Sequence, residues 1–410
     1  MKDQGIVLDL PSKVSGYAGE EDFSIVSLAA QGMKMCNRCM VLETQDGIEF
    51  DHEGICTVCR QVEVKETKID WNERRRQFEE ILSNYRGKYS YDCVVPFSGG
   101  KDSTFTLWKL VTDFKLKPLV VTFDHGFFRP KHLAARARTL KTLGVDHISF
   151  TANWHVVKKL MRESLIRKGD FCWHCHTGVY AFPMQLAVRF EVPLIIWGQP
   201  TAEYGSYGYD FENIEEVDER MFNRFINLGI TAQDMVGMLD EDVTERDLMP
   251  FTYPSLRDLK RIKYRSVCLG SFIPWDTLEN SRQIREALGW GGDLVEGVPP
   301  QFYWEKVECM FTGVLDYLKF IKRGFGRTRH LTSIEIREGR MNRDEAARLV
   351  AEYDGRRPAS LDLFLKNLEM AEESFMDIAL SHQVSPYRHD ASKVVMGPKL
   401  WDQDLWNRIP

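Results

Sequence analysis

The sequence contains no apolar run that approaches the roughly 18 residues of a membrane-spanning helix. Its N-terminal stretch is acidic and lacks the apolar core of a secretory signal, so we expect a cytoplasmic protein without a membrane partner. A basic excess is also missing: 54 lysines and arginines oppose 60 aspartates and glutamates, for a formal net charge of −6. Because general nucleic-acid binders usually carry a basic surface, we expect no nucleic-acid partner.

Internal repeats and low-complexity segments are absent too. With 43% hydrophobic and 28% charged residues, the 410-residue chain has the composition of an ordinary globular protein that can bury a core without disulfide bonds. Nine cysteines, an odd number in a long chain, do not indicate a disulfide framework. Six of the nine form three C-x-x-C pairs, and in a reducing compartment this spacing indicates metal or redox chemistry.

From residue 91 to about residue 204, short apolar segments typical of strands alternate with segments typical of helices. This alternation predicts an α/β fold with a doubly wound parallel sheet, which binds its ligand at the carboxyl ends of the strands. A charged amphipathic helix is predicted before it, over residues 69–86. Beyond the alternating part, residues 301–323 and 342–383 are predicted to be helical and to be joined by an irregular connection.

Two C-x2-C pairs lie near the N-terminus and are separated by sixteen residues; they consist of Cys36, Cys39, Cys56 and Cys59. This is the spacing of a four-thiolate zinc site, and four ligands fill the tetrahedral shell, so we expect a structural Zn²⁺ ion. The segment around the pairs is richer in acidic than in basic residues. A scaffold or docking role is therefore favoured over nucleic-acid recognition.

The strongest chemical motif is PFSGGKDS at residues 96–103, which follows a predicted strand and opens a predicted helix. Two glycines let the backbone turn sharply and approach a ligand, and a helix N-terminus offers free N–H groups to an anion. We therefore expect a phosphate-binding loop. It is not a Walker A loop, because Lys101 is followed by Asp102 rather than by Ser or Thr, and the G-x-G-x-x-G pattern is also missing.

Residues 98–103 resemble the S-G-G-x-D-S signature of the PP-loop ATP pyrophosphatases, which split ATP between the α- and β-phosphates and adenylate a substrate oxygen. The resemblance implies ATP and Mg²⁺ as cofactors, with the loop at the pyrophosphate end and the ends of later strands at the adenosine. The cofactor-binding residues implied are Ser98, Gly99, Gly100, Lys101, Asp102, Ser103, Phe123, Asp124, Gly198 and Gln199. Among them, the expected catalytic residues are Lys101 as a cation at the phosphates, Asp102 as a metal ligand, and Ser103.

From residue 34 to about residue 385, the chain resembles the N-acetyl sugar amidotransferases of bacterial surface-polysaccharide and nonulosonic-acid synthesis. The resemblance rests on the segments MCNRCM, PFSGGKDS, FCWHCHTG and PLIIWGQ and on a late segment with GFGR and SIEIREGRM. It implies an enzyme that adenylates the acetamido oxygen of an N-acetyl sugar and replaces it with ammonia in lipopolysaccharide O-antigen synthesis. The products are an acetamidino group, AMP and pyrophosphate.

The same resemblance implies that separate partners, a glutaminase and a cyclase-like subunit, supply the ammonia. No glutaminase Cys–His–acid signature is identifiable in this sequence, which agrees with an outside source.

The third cysteine pair, Cys172 and Cys175 in FCWHCHTG, has three interpretations. Attachment of a c-type haem requires export, which the sequence does not indicate. By resemblance to PP-loop tRNA-thiolating enzymes, the pair would bind a metal or an iron–sulfur cluster with Cys268 or Cys309 as third ligand. The remaining interpretation is a polar loop at the rim of the active site with unligated thiols.

A late group of basic residues has two interpretations. Arg327, His330, Arg337 and Arg340 either present cations to the diphosphate or carboxylate of a nucleotide-linked sugar, or form a solvated segment that pairs with neighbouring acids such as Glu335.

These features divide the chain into five regions. They are an N-terminal arm (1–33), a zinc-binding module (34–62), a linking helix (63–90), a PP-loop ATP-binding catalytic domain (91–270) and a mostly helical substrate or partner region (271–410). Two other functions stay open: a PP-loop tRNA-thiolating enzyme with an iron–sulfur cluster, and a zinc-scaffolded ATP-binding module without catalysis. The acidic net charge and the late family segment favour the sugar amidotransferase.

Overall fold

A parallel sheet of five strands organises the computed structural model, which describes residues 32–198, 222, 226–239, 243–392 and 394–397. The strands are β1 Cys93–Pro96, β2 Pro118–Asp124, β3 Asp146–Thr151, β4 Leu194–Trp197 and β5 Arg265–Cys268. Their order is β3–β2–β1–β4–β5, and every neighbouring pair is parallel. The predicted α/β class with a doubly wound parallel sheet is confirmed. Most of the predicted N-terminal arm lies outside the described residues.

Helices connect the strands and build the C-terminal region. In chain order they are α1 Thr57–Lys68, α2 Trp71–Ser83, α3 Lys101–Thr112, α4 Pro130–Leu143, α5 Trp154–Lys168, α6 Trp173–Phe190, α7 Ala232–Val236, α8 Leu256–Arg261, α9 Thr277–Leu288, α10 Thr312–Arg323, α11 Arg327–Arg337, α12 Arg343–Tyr353, α13 Ser360–Leu368 and α14 Glu372–Ser381. Among the described residues, none of these helices has the length and apolarity to cross a lipid bilayer.

The central strands are buried on both faces because their side chains alternate between two cores. Cys93 and Val95 of β1 pack with the apolar side of α3, whereas Val94 packs with residues of α6 such as Met184. Strand β3 lies at one edge of the sheet and is only partly buried. A near-continuous apolar run in the central strands is what a parallel sheet covered by helices requires.

The direction of chain travel reverses at β1. From β1 the chain proceeds outward to β2 and β3, then crosses back to β4 and β5 on the other side. In doubly wound sheets, the connections that follow two neighbouring strands can leave in opposite directions. A crevice then opens at the carboxyl ends of these two strands. The loop at residues 96–103 follows β1 and therefore lies at this crevice.

Three expectations about secondary structure were wrong. Residues 301–323 were expected to be helical, but the α-helix begins only at Thr312 and residues 303–311 are not helical. Strand β5 was not predicted, because four residues after a long aperiodic stretch give too weak a pattern. The connection expected between residues 324 and 341 contains helix α11. The buried carboxylate of Asp354 accepts N–H groups from Gly326 at 2.8 Å and Thr328 at 3.0 Å, so a side chain far along the chain caps α11.

Candidate functional site

The four N-terminal thiols lie together and are buried. Their Sγ atoms are all within 4.8 Å of one another, with 3.9 Å between Cys36 and Cys59 and 3.6 Å between Cys39 and Cys56. A tetrahedron with Zn–S bonds of about 2.3 Å has edges of roughly 3.8 Å, so the donor set fits one Zn²⁺ ion. The backbone N–H groups of Cys39 and Cys56 donate to Cys36 Sγ, which supports a thiolate there.

Arginines from the C-terminal region hold the zinc-binding segment. Arg343 Nη1 donates to the carbonyl oxygens of Cys36 at 2.9 Å and Asn37 at 2.8 Å, and Arg329 Nη1 donates to that of Met40 at 3.3 Å. Arg329, within the late basic group, is buried and contacts the zinc-binding segment. The module is thus docked on helices α11 and α12.

The loop after β1 is held in a defined shape by its own side chains. Gly99 has φ of +88°, a conformation that favours glycine, and its N–H donates to Ser103 Oγ at 3.0 Å. The N–H of Gly100 donates to Ser98 Oγ at 3.2 Å. From outside the loop, Trp290 Nε1 donates to the carbonyl oxygen of Gly99 at 3.1 Å.

Helix α3 begins directly after this loop and has no side-chain cap. Its N-cap residue is Gly100, so no N-cap side chain competes with an anion for the N–H groups of the first turn. Gly198 at the end of β4 packs against the same turn: a Cβ there would lie 2.8 Å from Thr106 Oγ1 and 3.3 Å from the carbonyl oxygen of Asp102. The loop and helix thus have the geometry that suits an anion.

A cavity of about 470 Å³ opens at the carboxyl ends of β1, β2 and β4. Of the predicted residues, those that line it are Ser98, Asp102, Ser103, Phe123, Gly198, Cys172, Cys175 and Arg327. The cavity is also lined by residues that sequence reasoning did not assign, namely His125, His174, His176, Lys306 and Glu308. His174 and His176 lie within the FCWHCHTG segment but had no role assigned, whereas His125, Lys306 and Glu308 lie outside the motifs and are revealed only by the three-dimensional fold.

Several predicted residues do not line the cavity. Asp124 accepts hydrogen bonds from the N–H of Gly126 at 2.8 Å and from Thr151 Oγ1 at 3.3 Å, in the turn after β2. Gly99 and Gly100 shape the loop, and Gln199 lies outside the described residues.

The four residues of the late basic group lie in different environments. Arg327 lines the cavity, whereas His330 is buried among charged neighbours, and burial lowers its pKa well below the usual range. Arg340 pairs with Glu335 at 2.8 Å and with Asp276 at 2.6 Å. Arg337 does not line the cavity.

One carboxylate oxygen of Asp102 contacts Lys101, and the other has no partner among the described residues. The Oδ2 atom lies 3.0 Å from Lys101 Nζ, while Oδ1 is buried and has no hydrogen-bond partner among the described residues. Burial raises the pKa of Asp102, and the neighbouring Lys101 charge opposes that rise. An unpartnered carboxylate oxygen beside an anion-binding loop is the donor type that Mg²⁺ prefers, so the site fits the implied cation.

The ammonium of Lys101 belongs to a buried ion network. It lies 2.9 Å from Glu305 Oε2, and Arg327 extends the network to Glu305 at 3.5 Å and to Asp316 at 3.1 Å. Burial works to raise the pKa of Glu305, but the charges of Lys101 and Arg327 outweigh it and hold the pKa at about 2. Lys101 is 5% exposed and does not line the cavity.

The other end of the cavity carries thiols and imidazoles. Cys172 precedes α6, Cys175 lies in its first turn, and Cys309 joins them from the C-terminal region, whereas Cys268 ends β5 and does not line the cavity. Burial raises the pKa of Cys309 to about 12. The three thiols do not meet the close spacing of a single-ion site; among the described residues only the N-terminal four do.

His174 lies at the same end and is 2% exposed. Neither ring nitrogen meets hydrogen-bond geometry with another described residue. Burial lowers the pKa of His174 to about 3, an effect that the nearby His125 charge increases and the backbone of His125 and Phe171 partly opposes. The imidazole is therefore neutral near pH 7.

The fold and this site define an α/β protein with an anion-binding loop at the switch point of a doubly wound sheet. Residues 301–400 match the family model described as LPS biosynthesis protein WbpG-like, C-terminal domain. The chain therefore carries a WbpG-like C-terminal domain, which confirms the resemblance at this level. That domain supplies Lys306, Glu308, Cys309 and Arg327 to the cavity.

The chain is also similar to other proteins over parts of its length. An uncharacterized protein of Methanocaldococcus jannaschii is 30% identical over 144 residues, which are 34% of this chain and 50% of that protein. The GMP synthase [glutamine-hydrolyzing] of Pyrobaculum aerophilum is 35% identical over 85 residues, 21% of this chain and 16% of that enzyme. The chain thus spans half or less of the length of these relatives. The structure of NMN synthetase from Francisella tularensis aligns with a TM-score of 0.26 and 16% identity, over 48% of this chain and 92% of that one.

Replacing Cys56 with Ser is expected to remove bound zinc and to lower the melting temperature, because three thiolates no longer fill the tetrahedral shell. Metal analysis of purified protein and thermal unfolding measure both effects. Cys268→Ala, a change at a buried cysteine outside the cluster, is the control and should retain its zinc. A Cys56→Ser protein with the zinc content of the unmodified chain would contradict the assignment.

Replacing Glu305 with Gln is expected to lower the free energy of unfolding by about 3 kcal/mol, because it removes one of the two carboxylates that pair with the buried Lys101 ammonium and leaves only Asp102. Urea unfolding measures the change. The exposed Glu338→Gln is the matched control and should stay within about 0.5 kcal/mol of the unmodified protein. An equally small change for Glu305→Gln would show that the ion network does not stabilise the loop.

Proposed function

We propose that this protein is an ATP-dependent amidotransferase that converts the acetamido group of an N-acetyl sugar, most simply a nucleotide-linked sugar acid, into an acetamidino group. The observation that carries the proposal is that the phosphate loop and the WbpG-like domain line the same cavity. An ATP-type site is thereby joined to a domain found in lipopolysaccharide biosynthesis proteins.

The reaction has two steps. The acetamido oxygen attacks the α-phosphorus of ATP and pyrophosphate leaves; ammonia then attacks the imidate carbon, loses a proton, and AMP departs with the carbon–oxygen bond electrons. In the first step the N–H groups at the start of α3 and the hydroxyls of Ser98 and Ser103 hold and orient the phosphates. Bound Mg²⁺, held by Asp102, would neutralise phosphate charge.

The thiol and imidazole end of the cavity suits the second step. Ammonia reacts only as the free base, and a nearby acid of low pKa would protonate it. Burial keeps Cys309 as a thiol and His174 as a neutral imidazole, so neither protonates the nucleophile. We place the acetamido group of the acceptor at this end.

The remaining assignments belong to the same proposal. The region 91–270 is the catalytic domain, the region 271–410 serves the acceptor and partners, and the zinc module at 34–62 is a scaffold. Glutaminase and cyclase-like partners supply the ammonia; one matched relative is named for hydrolysing glutamine. Arg327 is the residue of the late basic group that we place at the acceptor.

One observation favours a second function. Cys309 lines the cavity together with Cys172 and Cys175, which supplies the third thiol that an iron–sulfur cluster of a tRNA-thiolating enzyme would use. Anaerobically purified protein would then show an iron–sulfur absorbance band and lose it in Cys309→Ser. Colourless anaerobic protein without bound iron would exclude this function.

The test of the first proposal combines the protein with ATP, Mg²⁺, an ammonium salt and a panel of UDP-linked N-acetyl sugars and sugar acids. AMP release together with replacement of oxygen by NH, seen in the product mass, is expected for one acceptor. AMP release with an RNA acceptor and with no sugar in the panel would refute the proposal.

Asp102→Asn is expected to slow AMP release by at least about 100-fold, because it removes the charge of the proposed metal ligand while keeping the side-chain shape. Steady-state rates of AMP formation measure the loss, and unchanged circular dichroism shows that the fold is intact. Asp113→Asn, at the other end of the same helix, is the matched control. Full activity of Asp102→Asn would show that the loop is misassigned.

A further inference from the structure

The carboxylate of Glu308 lies directly against the phosphate loop. A Cβ placed on Gly100 would be 1.8 Å from Glu308 Oε1 and 2.7 Å from its Cδ. No residue larger than glycine fits at position 100 while Glu308 stays in place. The WbpG-like domain therefore brings an acidic side chain to the helix N-terminus, where the free N–H groups favour an anion.

Backbone pairing fixes this approach. The segment around Glu308 lies antiparallel to the chain that follows β2: the N–H of Arg129 donates to the carbonyl oxygen of Glu308 at 2.9 Å, and the N–H of Met310 donates to that of Phe127 at 3.0 Å. These hydrogen bonds are independent of the Glu308 side chain. The backbone pairing thus brings the Glu308 side chain to the loop.

The electrostatics of this end are unfavourable for phosphate unless a cation is present. Asp102 and Glu308 both face the cavity, and Asp102 Oδ1 has no hydrogen-bond partner among the described residues. The cations Lys101 and Arg327 are engaged with Glu305. Lys306 is a further cation on the wall, and it also acts on Asp102 and Glu305.

We propose that Glu308 of the C-terminal domain and Asp102 of the phosphate loop together ligate the divalent cation that accompanies ATP. One or two carboxylates plus phosphate oxygens and water form the usual shell of Mg²⁺ in nucleotide sites. This inference rests on the proposed use of ATP. It adds that the metal–nucleotide complex is bound by both domains.

An opposite role for the same carboxylate makes a different prediction. A Glu308 side chain that acts as an anion blocking the loop would compete with phosphate. Its neutralisation would then strengthen nucleotide binding without metal. Removal of a metal ligand instead weakens metal binding in the nucleotide complex, so the sign of the effect separates the two roles.

The experiment titrates Mn²⁺ into the full-length protein with the non-hydrolysable analogue α,β-methylene-ATP and follows free Mn²⁺ by electron paramagnetic resonance. Glu308→Gln is expected to weaken Mn²⁺ affinity at least about tenfold in this ternary complex. Glu308→Asp, which keeps the carboxylate, should recover part of that loss. Glu286→Gln, an exposed change on α9, is the control and should bind as the unmodified protein does.

Unchanged Mn²⁺ affinity in Glu308→Gln, or tighter binding of the analogue in the absence of metal, would overturn the proposal. A Glu308→Gln protein that fails to fold, seen by circular dichroism, shifts the test to Glu308→Asp, whose altered reach must then change the Mn²⁺ affinity or signal. The readout needs no sugar acceptor. Failure of the sugar reaction with intact metal–nucleotide binding is therefore distinguishable from failure of the Glu308 assignment, and absence of nucleotide binding refutes both.

Discussion

The buried bridge from Asp102 through Lys101 to Glu305 ties the phosphate loop to the C-terminal region. Its charges are largely withdrawn from water: burial raises the pKa of Asp102 against the opposing charge of Lys101, whereas the cations around Glu305 outweigh its burial and hold its pKa at about 2. Separation of the two regions would break the buried ion pair between Lys101 and Glu305, a cost of several kcal/mol, and would leave Lys101 with Asp102 and Glu305 with Arg327. The loop and the C-terminal region are therefore expected to reach their functional geometry only together.

Helix α11 extends this connection to the zinc module. Arg327 and Arg329 are two residues apart on the helix, which corresponds to roughly 200° around its axis. Accordingly, Arg327 lines the cavity, and Arg329 donates to the carbonyl oxygen of Met40 beside the zinc-binding thiols. One short helix thus has the cavity on one side and the module with the four cysteines on the other, so a Zn²⁺ ion held by these thiols would support the site structurally without a direct part in chemistry.

Local patterns were sufficient to predict four of the five strands, the loop and the four zinc-binding thiols, because each is a short periodic or fixed-spacing signal. These local patterns could not predict that the C-terminal region contributes side chains to the cavity. Glu308 meets Gly100 only because its backbone pairs with residues 127–129, a contact between segments far apart in the chain. Helix α11 was missed for the same reason, since its N-terminal cap is the distant Asp354.

The lysine of the motif shows where resemblance and geometry differ. In a Walker A loop the lysine reaches the phosphates, whereas Lys101 is directed to Glu305 and is withdrawn from the cavity. The side chains next to the loop that face the cavity are instead the carboxylates of Asp102 and Glu308. With its lysine neutralised and acids in front, the loop itself offers phosphate its backbone N–H groups, hydroxyls and helix N-terminus, and Lys306 is a cation on the wall of the same cavity. Phosphate binding is therefore expected to depend on a divalent cation more strongly than in loops that keep their lysine at the ligand.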